Sequence, residues 1–69
     1  MEIKIDSNKV KQMIFEKNLN IDNIVRKTDI SRSQLYNIIS GNQEMVFERT
    51  AFKLSHFLKC TVSDLMDED

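Results

Sequence analysis

Apolar side chains recur at helical spacing along most of the 69 residues, and polar capping residues stand where each run begins. In "SNKVKQMIFEKN" (7–18), Val10, Met13, Ile14 and Lys17 form one stripe behind Asp6 or Ser7 as N-cap, which predicts a first helix. Asn20 precedes "IDNIVRKT", where Ile21, Ile24 and Val25 share a face. Asp22 falls in its first turn, where the helix dipole favours an anion. "DIS" (29–31) reads as a three-residue turn, and Asp29 is the residue in it that takes a left-handed backbone most cheaply. Ser31 then caps "RSQLYNIIS", with Leu35, Ile38 and Ile39 facing inward and Gly41 just past its end. "NQEMV" (42–46) reads as a loop. "FERTAFKLSHFLK" (47–59) places Phe47, Ala51, Leu54 and Leu58 on a buried stripe, and Thr61 caps a last short helix, "VSDLM", with Val62 and Leu65 inward. Ahead of them all, "EIKI" (2–5) alternates charge with isoleucine, forms a strand only if something pairs with it, and is otherwise expected as an ordered or frayed arm.

Length and composition fit this pattern. Sixty-nine residues make one domain, 1–69, near the lower limit for a core without disulfide or metal staples. No Pro, one Gly and 41% hydrophobic residues suit an all-α globule of five helices. Cys60 is the single cysteine, so no internal disulfide forms and a reducing compartment is expected. "MEIKID" is charged and too short for a signal peptide, and no apolar run reaches membrane-spanning length. A soluble, cytoplasmic protein with no membrane partner is expected.

A net charge of −1 argues against indiscriminate binding to polyanions. The charge is uneven, however. Residues 1–43 carry seven basic side chains against five acidic ones, and residues 44–69 carry three against six. The basic half contains "TDISRSQLYNIISG" (28–41), whose wet face is built from Arg32, Ser33, Tyr36, Asn37 and Ser40. Two short helices joined by a tight turn, the second capped by Ser and small and polar at its start, match helix-turn-helix geometry. A helix entering a major groove about 12 Å wide needs side chains that donate to and accept from base edges without bulk. Arg32 suits guanine, Asn37 adenine, Ser33 either, and Tyr36 a thymine methyl or a phosphate.

From Leu19 to Met66, through "LNIDNIVRKTDISRSQLYNIISG" and "FKLSHFLKCTVSDLM", the chain resembles the phage-repressor-like helix-turn-helix family of Cro/CI, or XRE, type. The resemblance implies a five-helix lambda-repressor-like bundle with 32–40 as the recognition helix on double-stranded operator DNA. Carried over by position, base contacts fall on Arg32, Ser33, Gln34, Tyr36 and Asn37, and phosphate contacts on Asn20, Ser31, Ser40, Asn42 and Gln43. The chain departs from the family at four places. Ile21 replaces a glutamine that touches phosphate, Val25 replaces a small residue, and Asp29 replaces the turn glycine. Ile14 and Ile39 together replace an Arg–Glu ion pair, a joint change that keeps the fold, whereas losing one partner alone would be costly.

Other chemistry is weaker. His56 and Cys60, four apart, have half a metal-site spacing, but Asp64 lies beyond the end of their helix. One Gly and no nucleophile elbow leave no catalytic triad, so neither enzyme nor cofactor is expected. Phe52, Phe57 and Met66 either fill the core or form an apolar patch that pairs two copies, and one or two of Lys9, Lys11 and Lys17 are expected to approach phosphate. The function implied is that of a homodimeric transcriptional repressor of phage or mobile-element type. A protein partner such as a toxin or an anti-repressor is also allowed for, and two alternatives remain open: an antitoxin of a toxin–antitoxin pair, and a protein-interaction module that kept the fold without DNA binding.

Overall fold

The structure, a computed structural model, describes residues 1–67. The first helix, α1 (Ser7–Glu16), begins where the Asp6 carboxylate accepts hydrogen bonds from the Asn8 and Lys9 amides at 2.9 and 3.4 Å. Asp6 is therefore the cap. The helix stops two residues before the predicted end because Asn18 turns to a left-handed φ of 52°, which leaves Lys17 exposed at the C-cap, off the apolar stripe. Asn20 caps α2 (Ile21–Thr28) through a 2.7 Å bond from the Asp22 amide, and Asp29 ends it at φ 63°. Ser31 caps α3 (Arg32–Ser40) by accepting from the Gln34 amide at 3.1 Å, and Gly41 ends it at φ 87°. These caps, read from sequence, fix where α2 and α3 start and stop.

Residues 45–47, expected within a loop and the head of a helix, form a strand. Met45–Phe47 (β2) pairs antiparallel with Glu2–Lys4 (β1), Ile3 opposite Val46. The partner that "EIKI" needed is thus "MVF". Alternation along β2 turns Val46 into the core and Met45 and Phe47 outward. Phe47, expected on a buried stripe, is 63% exposed for that reason. The stripe of α4 (Glu48–Leu58) is carried by Ala51, Leu54, Ser55 and Leu58.

The expected fifth helix shrinks to a single 3-10 turn, Ser63–Leu65. Past it the backbone becomes extended: Met66 bridges Ile5, and the Asp67 amide donates to the Lys4 carbonyl at 3.1 Å. The sheet edge captures the residues that a helix would have used. Among the described residues the fold is mostly helical, with four helices and a two-stranded sheet in place of five helices and an arm. Among the described residues no helix is long and apolar enough to cross a membrane.

The core joins every element, with Val10, Ile24, Leu35, Ile38, Val46, Leu54, Leu58 and Leu65 fully buried. Each such side chain contributes roughly 1.5–3 kcal/mol by leaving water, and together they fix α2 against α3 and α4. Of the residues left open between core and patch, Phe57 packs half-buried against this core, Met66 is half-buried, and Phe52 is exposed. Lys9 also has a structural partner: its ammonium donates to the Met66 carbonyl at 2.9 Å.

Candidate nucleic-acid interface

The turn between α2 and α3 is set by three local interactions. Asp29 supplies the left-handed step, Ile30 is buried as an anchor, and Thr28 Oγ1 donates to the Ile24 carbonyl at 2.6 Å while accepting from the Ile30 amide at 3.3 Å. Leu35 and Ile38 on α3 are buried, so the opposite face of the helix projects outward. At 100° per residue that face carries Arg32, Ser33, Tyr36, Asn37 and Ser40, all exposed. Gln34 falls 200° from Arg32, on the half-buried shoulder, and is brought to the edge of the face rather than onto it.

Arg32 is engaged. Its guanidinium forms an ion pair with the Asp22 carboxylate across from α3 to α2. Hydrogen bonding and attraction to Asp22, and to a smaller extent contact with Tyr36, raise the Arg32 pKa above its ordinary value, so the cation is permanent. Sequence reading gave Asp22 a place at the helix dipole only. Two opposite charges at the starts of consecutive helices do not by themselves foretell a pair, because the interhelical angle decides whether they meet.

The expected phosphate ligands lie on either side of the α3 face. Asn20 and Ser31 are exposed at the N-termini of α2 and α3, with their side-chain oxygens already capping amides at 2.7 and 3.1 Å. At the far end, Ser40 Oγ donates to the Asn37 carbonyl at 3.2 Å and accepts from the Asn42 amide at 3.5 Å. The Gln43 amide closes onto the Asn37 carbonyl, and its side-chain nitrogen donates to the Met45 carbonyl, both at 3.1 Å. Gln43 therefore ties the loop to β2 through the group that would otherwise meet a phosphate. Ser40 and Asn42 remain outward.

Beside this face lies an apolar groove of about 370 Å³ lined by Ile14, Phe15, Leu19, Ile21, Tyr36 and Ile39. It runs where the family's ion pair would stand, and Phe15 at its edge is 81% exposed. The His56 and Cys60 pair supplies no such convergence. The Cys60 thiol is half-buried, and burial pushes its pKa up, with Asp64 adding to the rise, away from the thiolate that binds metal.

No curated protein and no solved structure matches the chain. A family model described as a helix-turn-helix domain matches residues 7–68, from the start of α1 onward, leaving β1 outside the match. That range spans the capped α2–turn–α3 unit and the core that holds it. The chain belongs to the helix-turn-helix domain family, whose members are DNA-binding regulatory domains, in keeping with the XRE-type resemblance of residues 19–66.

Proposed function

We propose that this protein is a sequence-specific DNA-binding repressor that acts by occupancy, with α3 in the major groove of an operator. The observation that carries the reading is the outward face of α3. Arg32, Ser33, Tyr36 and Asn37 stand exposed on one side of a helix whose other side is locked into the core. Bidentate or multiple hydrogen bonds from Arg32 to guanine and Asn37 to adenine supply discrimination, Ser33 and Tyr36 add to it, and Gln34 reaches the edge of the contact. Asn20, Ser31, Ser40 and Asn42 fix register on the phosphates, and Gln43 supports the loop from which Asn42 projects.

The active species is a homodimer. The Cα atoms span only 29 × 22 × 21 Å, less than the roughly 34 Å between successive major-groove faces, so two half-sites need two copies. Phe47 and Phe52, exposed beside Glu48 and Arg49 at the start of α4, offer an apolar surface with both charges at hand for a symmetric contact.

Selection of bound sequences from a random DNA pool tests the reading, followed by a salt titration on the selected duplex. A paired half-site is expected, and Arg32→Ala should lose roughly 1–3 kcal/mol of discrimination at one base pair. A wild-type protein that selects no sequence, and binds every duplex equally at low salt, would sink it. The groove lined by Ile14, Phe15 and Ile39 would then favour the protein-interaction module, with a toxin-like or anti-repressor partner seated there.

A further inference from the structure

We propose that Asp22 is a positioning residue for base reading: it touches no base itself, but holds the Arg32 guanidinium in place so that Arg32 meets one base pair with its remaining donors. The inference rests on the DNA-reading role of α3 and adds to it a residue from the other helix of the motif.

The geometry comes from three successive constraints. Asn20 Oδ1 accepts from the Asp22 amide at 2.7 Å, which fixes the backbone at the start of α2. The carboxylate so placed pairs through Oδ1 with Nη2 of Arg32 at the start of α3. Tyr36, one turn further along α3, flanks the same guanidinium. Nη2 carries two hydrogens and a guanidinium five donors in a planar fork, so one carboxylate contact leaves a two-donor edge for a base. The side chain of the neighbouring Ile21 is purely hydrocarbon and offers the guanidinium no acceptor.

The pair has little to do for stability. Its side chains are 55% and 67% exposed, and ion pairs in that setting contribute little to folding. For recognition the same exposure matters, because an unbraced arginine must lose its rotamer freedom at the moment of binding, whereas a braced one has lost part of it already. Water leaves the interface on docking, and the attraction between the two charges strengthens as it goes. Asp22 also has an opposite effect. Placed beside the phosphates, its negative charge weakens attraction to any duplex, right or wrong. A residue that raises discrimination while lowering general affinity leaves a signature that a helix cap or packing residue would not.

The test compares wild type, Asp22→Asn, Arg32→Ala and the double variant on the duplex selected by wild type, on that duplex changed at the base pair Arg32 reads, and on an unrelated duplex. Thermal melting confirms that each variant is folded. Asp22→Asn should lose about tenfold in discrimination at the single base pair that Arg32→Ala also affects, while binding the unrelated duplex more tightly and with a steeper salt dependence. In the double variant, the Asp22 change should cost no further discrimination. If Asp22→Asn keeps the wild-type preference, or tightens all three duplexes by the same factor, Asp22 is only a repelling charge and the inference fails while the DNA-reading role stands. If wild type selects no sequence, both fall together.

Discussion

Thr28 shows how much one buried hydroxyl holds in place. It is buried at the end of α2, donates to the carbonyl of Ile24 and accepts from the amide of Ile30, so the backbone on both sides of the left-handed Asp29 is tied to one oxygen. Thr28→Val keeps the shape and orphans the Ile30 amide, and should cost about 1–3 kcal/mol, read as a lower denaturant midpoint at unchanged slope. Asp64 makes a second residue-scale prediction. It accepts from the Thr61 amide at 3.0 Å while its own amide donates to Thr61 Oγ1 at 3.2 Å, and hydrogen bonding to its carboxylate from the Thr61 amide, and then from the Thr61 hydroxyl, holds the carboxyl below the usual carboxylate range. A depressed folded value contributes stability above the unfolded pKa, near pH 4, that is lost as pH falls through the folded value. Asp64→Ala should therefore melt below wild type at neutral pH, with part of the gap closing as a melting series moves to strongly acid buffer. Asp29 was legible from sequence because a turn between two caps needs a left-handed residue. Thr28 was not, since a threonine that ends a helix looks the same whether its hydroxyl faces water or two backbone groups.

At the scale of elements, punctuation was more legible than length. Asn20, Ser31 and Gly41 placed α2 and α3 within their limits because each satisfies groups that a helix end leaves open. Gly41 sits at φ 87°, with Ser7 Oγ 3.4 Å from where a Cβ would stand. Gly41→Ala should cost about 1–2 kcal/mol, mostly from the left-handed backbone, and calorimetry would register it as a lower melting temperature. What failed was the reading of short runs. "MVF" is too brief for a period, and "VSDLM" has the spacing of a helix and of one turn followed by a strand alike. Their outcome depends on β1, more than forty residues earlier in sequence, and nothing local encodes that. The outward face of α3 was legible for the same reason that α3 was: once Leu35 and Ile38 are assigned inward, a rigid helix dictates what faces out. The Arg32–Asp22 pair lay beyond reach, because it is a property of the angle between two helices.

For the molecule as a whole, the proposed function asks a chain of net charge −1 to recognise a polyanion. Uneven placement of charge meets part of that demand, and the proposed second copy would meet more, since affinity per half-site can be modest when two act together. Phe52, 64% exposed on α4, contributes little to the core and lies on the surface proposed to pair. Phe52→Ser should leave the melting temperature within a degree or two at low concentration, while light scattering is expected to show a monomer for the variant and a dimer for wild type. Unchanged dimerisation would move the interface elsewhere.

The sheet closes the chain on itself. The Ile5 amide donates to the Glu44 carbonyl at 2.6 Å, the Asp6 amide to the Leu65 carbonyl at 2.8 Å, and Asp67 returns a bond to Lys4. Both ends of the described chain are thus sewn to its middle and to each other, where ends ordinarily fray. In hydrogen exchange, the amides of Ile5 and Asp6 should be as slow as those in the middle of α3, because neither can open without dismantling the Leu65 and Val46 packing beneath them. A segment that looks from sequence like a loose arm becomes a reporter of global unfolding.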